Sequence, residues 1–208
     1  MKILGLDTIE SESYEFFHAN IRKFPTKSEG SIDFKKAKLY NNDVDAFRHA
    51  YASGVFAQRY GERTARFLGW ANEFFSFEGS PAEENMDFWN NYVGIKYGKK
   101  CKSPEKLLEL LKEALAQGEL IIDPADKRKN KDYKETKPSE EKPIAVLKRS
   151  PTGRNELFCD VLKGIVMTRA QFVKNIESGK YPGYRISRLQ GIKTPVSKSD
   201  DTSDNNLG

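Results

Sequence analysis

The chain has 208 residues, of which 38% are hydrophobic and 31% charged, and 35 lysines and arginines against 30 acidic residues give a net charge of +5. That length suits one medium domain, or one domain with a small appendage, and so polar a composition leaves part of the chain outside a core. The near-balance of charge argues against a dedicated nucleic-acid binder with one concentrated basic face, while leaving nucleic acid or anionic lipid open as a partner.

Cys101 and Cys159 lie far apart, with no Cys/His cluster, which argues against a disulfide framework or a structural zinc site and for free thiols in a reducing compartment. Ile3 to Leu6 is apolar, but Asp7, Glu10 and Glu12 follow at once, so no signal-peptide core forms. No stretch reaches transmembrane length. The expectation is synthesis in the cytoplasm, with any export by a signal-peptide-independent secretion system.

In chain order, Tyr14 to Arg22 reads as a helix and Pro25 to Gly30 as a turn region. Asn42 is an N-cap, with Asp43 and Asp45 in the dipole-favoured first turn of a helix that runs to Tyr60 and stops at Gly61. A second helix covers about Glu62 to Phe77 and ends at Gly79. Ser80, Pro81 and Glu83 are an N-cap, an N1 proline and a capping-box acid in register, opening a helix to Tyr97 with Gly98 after it. Ser103 and Pro104 open another, whose Leu107, Leu108, Leu110, Leu111 and Leu115 face inward before Gly118.

Residues 124–143 then turn to lysine, acid and proline, and read as a charged linker. Ile144 to Leu147 and Leu157 to Leu162 read as strands around the turn at residues 150–153, Thr168 to Ser178 as a capped helix, and Tyr184 to Leu189 as a strand. The expected architecture is mainly α. A bundle of four to five helices spans residues 1–123, with a motif core at 42–98, followed by the linker, a small α+β unit at 144–197 and a disordered polar tail at 198–208.

On a wheel of about 100° per residue, Asp87, Asn90, Asn91 and Gly94 fall on one face of an otherwise apolar helix. Asn, Asp and Gly are poor helix formers, so a solvent face would favour Glu, Lys or Gln. A stripe of this kind reads as a polar network with internal partners, since buried polar groups left unpaired are costly. Asp45 and His49 stand one turn apart beside Arg48, so the carboxylate can orient the imidazole as a general base, or both can ligate a metal. With only two histidines, His18 and His49, a metal site here has to be rich in carboxylate. Glu73, between Trp70, Ala71, Phe74 and Phe75, has aromatic neighbours that would raise its pKa and suit it to acid–base work.

The run Asp45-Ala-Phe-Arg-His-Ala50, Gly61, Asn72-Glu73, Met86-Asp-Phe-Trp-Asn-Asn91 and Gly94 resembles an uncharacterised bacterial domain found at the C-terminal ends of polymorphic toxins and secreted effectors. This sequence departs from that pattern at Asn72, where the family's His-Glu pair has histidine. Met167 to Val173, Gly179, Tyr184-Arg-Ile and the closing Asn205-Asn-Leu-Gly resemble, more weakly, a second small uncharacterised domain.

Residues and resemblance together give a toxin- or effector-type hydrolase. In it His49, Glu73 and Arg48 are catalytic, with His49 or Glu73 as base and Arg48 holding an anionic group. Asn90, Asn91 and Asn72 bind substrate, and Asp45 and Asp87 gather a divalent metal. Candidate substrates are phosphate-bearing (nucleic acid or phospholipid) or a cell-wall glycan. Candidate partners are a secretion-system component or an immunity protein. The alternative is a non-catalytic binding or adaptor protein, in which the Asp/Asn/Arg/His set is a structural network.

Overall fold

A computed structural model describes residues 5–75, 80–129, 139–199 and 206–207; for 70–75 it describes the helical backbone alone. Among the described residues there are six helices and five strands: α1 Leu6–Asn20, α2 Asp43–Tyr60, α3 Glu62–Phe75, α4 Pro81–Gly98, α5 Pro104–Ala116, β1 Ile144–Arg149, β2 Asn155–Asp160, β3 Ile165–Thr168, α6 Arg169–Glu177, β4 Tyr184–Leu189 and β5 Ile192–Ser197. The protein is mainly α with a small α+β appendage.

Local chemistry sets the helix starts. The Asn42 side chain accepts from the Val44 and Asp45 amides. Ser80 and Glu83 form a reciprocal capping box, the Ser103 side chain accepts from the Lys106 amide, and Thr168 and Gln171 form a second box on α6. Each cap satisfies amides that the helix itself leaves unbonded. α1 begins at Leu6, well before the expected Tyr14, and buries Leu6, Ile9, Ser13 and Phe17 along one stripe.

α2 is the hub. Of its 18 residues 13 are buried, and α1, α3, α4 and α5 all pack on it. The closest approach is to α4, where main chain meets main chain. A Cβ placed on Gly94 would fall on the Ala50 carbonyl, and one on Gly98 on the Gly54 carbonyl; one on Gly54 would lie 2.8 Å from the Gly94 oxygen. Two rows of small residues at i, i+4 spacing, Ala50/Gly54 and Gly94/Gly98, thus let the axes come nearer than ordinary side chains allow. Gly94 lies on the face of the expected polar stripe. Its place is set by this contact.

The segment after α5 straps the outer side of α4. Trp89 Nε1 donates to the Glu119 carbonyl (2.7 Å), and Tyr97 Oη donates to the Glu119 carboxylate (2.7 Å). Arg128 donates to the Gly118 and Leu120 carbonyls at 2.7 and 2.9 Å, with its guanidinium over the Trp89 ring. At its described ends the charged linker is therefore anchored: the Gly118 and Leu120 carbonyls, in the turn that follows α5, accept from the Arg128 guanidinium. At the other end Lys142 is 3% exposed, its Nζ donating to Asn206 Oδ1.

The appendage joins a three-stranded antiparallel sheet β1-β2-β3, a β4-β5 hairpin and α6. β1 and β2 are buried on both faces, which is why they read as apolar runs. Ala145, Leu147 and Cys159 enter the helical core, while Ile144 and Phe158 enter a second core around Phe172, Tyr181 and Tyr184. Thr64 on α3 donates to the Val146 carbonyl (2.9 Å), tying the sheet to the helices. The tail, expected to fray from residue 198, is seated where it is next described. Leu207 is 5% exposed in the second core; its amide donates to Ser197 Oγ and its carbonyl accepts from Asn155 Nδ2.

Gly94→Ala should cost about 3 kcal/mol, the upper range for overpacking, because the obstruction is a carbonyl that no rotamer can move aside. Urea denaturation measures it, and a midpoint equal to the parent's would contradict the backbone contact.

Candidate functional site

α2 begins at a turn that fixes one carboxylate. Asn41 sits at φ 55°, a left-handed conformation that asparagine tolerates, and its amide donates to Asp45 Oδ2 at 2.7 Å. The other oxygen, Oδ1, receives Arg48 Nη2 at 2.7 Å and Nε at 3.3 Å. Arg48 Nη1 crosses to Glu10 on α1 at 3.0 Å. One turn along α2, His49 places Nε2 at 2.7 Å from Arg48 Nη2 and 3.6 Å from Asp45 Oδ1. From α4, Asp87 brings Oδ1 to 3.3 Å from the same nitrogen.

Asp45, His49 and Asp87 thus converge from two helices, each offering one ligand atom within 4.8 Å of the others. The side chains of Asp45 and His49 are each 5% exposed and that of Asp87 is 14% exposed, so the centre opens on the α4 side. It could hold a cation. One imidazole with two carboxylates suits a divalent metal of intermediate hardness, such as Zn²⁺ or Mn²⁺.

The electrostatics agree with a site built around positive charge. Burial holds the His49 pKa well below its ordinary 6.5, and the Arg48 cation pushes it the same way, with a hydrogen bond to Asn91 opposing. At neutral pH the imidazole is uncharged and presents a lone pair. Burial opposes the Arg48 charge as well, but Asp45 foremost, then Tyr14 and Glu10, raise its pKa above its already high range. Burial also lifts Tyr14, on the rim, to about 12.

The other expected residues separate. Asn91 is buried; its Oδ1 accepts from Ser53 Oγ (2.8 Å), and its Nδ2 would stand 3.2 Å from a Cβ on Gly69 of α3. Gly69 makes room for this carboxamide, which stays beside His49. Asn90, expected to bind substrate, points elsewhere. It is fully buried, its Nδ2 donating to the Ile121 carbonyl at 2.8 Å and its Oδ1 accepting the Ile121 amide at 2.9 Å. Both ends of its amide tie the strap to α4.

Arg48, expected to hold an anionic group, directs its donors inward to Asp45, Glu10 and His49 and is 11% exposed. It supports the centre from behind. Asn72 and Glu73 lie in the last turn of α3, where the described residues include the backbone and not their side chains. Sequence reasoning missed Glu10, Tyr14, Asn41 and Ser53. A signal for the first two existed in the i, i+4 pair Glu10/Tyr14 beside the apolar stripe of α1.

A family model described as Domain of unknown function (DUF6973) matches residues 12–119, more than half of the chain. The match includes α2 to α5 and all three converging side chains, Asp45, His49 and Asp87. No curated protein and no solved structure matches the chain.

Two outcomes check this geometry. Because His49 stays neutral in the fold while an unfolded imidazole takes up a proton below about 6.5, stability should be complete above that pH and fall as pH drops through it. His49→Gln should flatten that fall between pH 6.5 and 5 in thermal melts; an unchanged pH profile would contradict the buried neutral imidazole. Asn90→Ala leaves the buried Ile121 amide and carbonyl without partners, and should cost about 3 kcal/mol in urea denaturation while leaving the His49-dependent pH profile unchanged.

Proposed function

Since the chain belongs to the DUF6973 family, its function has to be read from the centre itself, and we propose that it is a metal-assisted hydrolase acting on a phosphate-bearing substrate. Asp45, His49 and Asp87 hold a divalent cation. Bound there, a divalent cation would supply Lewis-acid chemistry, lowering the pKa of a water and offsetting charge on the substrate phosphoryl oxygens. Asn91 and Asn72 orient the substrate, and Glu73 receives the proton of the attacking water. The observation that carries this reading is the convergence of three electron-rich atoms, 3.3 to 3.6 Å across His49, from residues 38 and 42 positions apart on two helices locked together by main-chain contact.

The wider context is part of the proposal. The Ala-Phe-Arg-His-Ala and Met-Asp…Asn-Asn motifs support a toxin or secreted effector. Its partners would be a secretion component and an immunity protein. Among the described residues no helix is long and apolar enough to cross a membrane, so action on phospholipid would be from the surface.

A second reading has its own support. Arg48 already bridges Asp45 and His49, and a closed network of that kind suits a binding or adaptor protein whose polar residues fix helix register.

The test is turnover of RNA, plasmid DNA and anionic phospholipid vesicles with Mn²⁺ or Zn²⁺ added. Asp87→Asn and His49→Ala should each lower turnover by at least about 100-fold, the scale of a lost catalytic group, with far-UV circular dichroism unchanged. Full turnover in both variants would remove the centre from the chemistry. Metal binding without turnover on any of these substrates would favour the adaptor.

A further inference from the structure

We propose that Arg48 is a built-in competitor for the metal: its guanidinium and an incoming divalent cation claim the same atoms of Asp45 and His49, and Glu10 receives the guanidinium when the cation enters. The inference rests on the metal reading above and says how occupancy of that site is controlled.

A neutral imidazole presents one unprotonated nitrogen with a single in-plane lone pair. Arg48 Nη2 stands 2.7 Å from His49 Nε2, and because a guanidinium only donates, this contact assigns the lone pair to Nε2. A metal bond to Nε2 needs the same electrons in the same direction. Asp45 is engaged as well. Its Oδ2 is held by the Asn41 amide at 2.7 Å, and its Oδ1 takes two guanidinium nitrogens. With Arg48 in place, two of the three ligand atoms are committed to a cation that is part of the chain.

Arg48 cannot yield by losing its proton, because a guanidinium stays charged under all ordinary conditions. It has to move as a cation and needs an acceptor at its destination. Glu10 supplies one. Its Oε1 already holds Arg48 Nη1 at 3.0 Å, and its side chain is 30% exposed where that of Arg48 is 11% exposed. A swing about the flexible stem toward α1 exchanges one carboxylate for another and carries the guanidinium toward solvent. Asp87 is left out of this exchange. Its Oδ1 lies 3.3 Å from His49 Nε2, and two electron-rich atoms that close call for positive charge beside them, from Arg48 or from the metal. α1 thereby becomes part of the switch, through a residue that lies before the family-matched segment at 12–119.

The experiment measures Mn²⁺ binding to the full chain by calorimetry and by loss of the free-ion paramagnetic signal. Arg48→Gln should tighten binding by about tenfold or more, the scale of one charge-assisted hydrogen bond relieved. Glu10→Gln should weaken it several-fold. In the Arg48→Gln background the Glu10→Gln change should have no further effect, since Glu10 acts only through Arg48. Asp87→Asn should abolish binding in every background.

Unchanged or weaker binding in a folded Arg48→Gln protein overturns the competition and leaves the metal reading standing. Equal weakening by Glu10→Gln with and without Arg48 shows a bulk charge effect and also overturns it. Should Arg48→Gln fail to fold, Glu10→Gln, at a partly exposed position, decides alone, and unchanged affinity there overturns the proposal. No Mn²⁺ binding in any of the proteins overturns this inference and the metal reading together.

Discussion

Main-chain contact between α2 and α4 sets everything else in the helical unit. Ala50 and Gly54 on one helix and Gly94 and Gly98 on the other leave no side chain between the two backbones. Carbonyls cannot change rotamer, so the seam has one depth and one register. His49 precedes Ala50 directly, and Asp87 lies two helical turns before Gly94. The distance from His49 to Asp87 is thereby fixed by backbone, a firmer support than packed side chains give. α3 follows the same logic on a smaller scale, with Gly69 yielding its side-chain volume to the Asn91 carboxamide.

Around this seam the polar groups are held at high energetic stakes. Asp45, His49 and Arg48 have left water and compensate one another over distances of 2.7 to 3.6 Å. Taking one member from such a buried set costs about 3–5 kcal/mol, much of it the exposure of the remaining charge to an apolar medium. The arrangement is a poor investment if stability alone mattered, since apolar residues of equal volume would do as well. Its cost fits a centre whose charges have work to do. The same holds for the left-handed Asn41, a mildly unfavourable conformation spent on directing one amide at Asp45.

Features whose causes lie within a few residues were legible in the sequence. Asn42, Ser80, Ser103 and Thr168 announce their helices because a cap is a local hydrogen bond. Asp45 and His49 were legible as a pair because one helical turn joins them. β3 and β5 were not. β3 is four residues long with one buried, and β5 contains Pro195; both exist through pairing with a neighbour. The polar face of α4 was legible as a face, but its members were not. Asp87 turns to His49, Asn91 to Ser53, Asn90 to Ile121, and Gly94 to the Ala50 carbonyl. Helical periodicity tells which residues share a side and cannot tell which partner stands opposite each. Glu10 escaped notice for the same reason, since its ion pair spans 38 positions. In the charged stretch after residue 123, Arg128 and Lys142 looked solvated because composition does not reveal a lone carbonyl waiting for a donor.

The strap and the sheet bear on how this molecule can be taken apart. The family-matched segment ends at residue 119, an inviting place to cut. A fragment ending there would lose Ile121, the partner of both ends of the Asn90 amide, and would lose Arg128 from the Trp89 ring. It would also bare the helical surface that Ala145, Leu147 and Cys159 now cover. Such a fragment would carry an exposed apolar flank and a loosened outer helix. The matched segment and the unit of folding have different borders here, and a dissection that respects the second has to carry the chain through both cores, as far as Leu207.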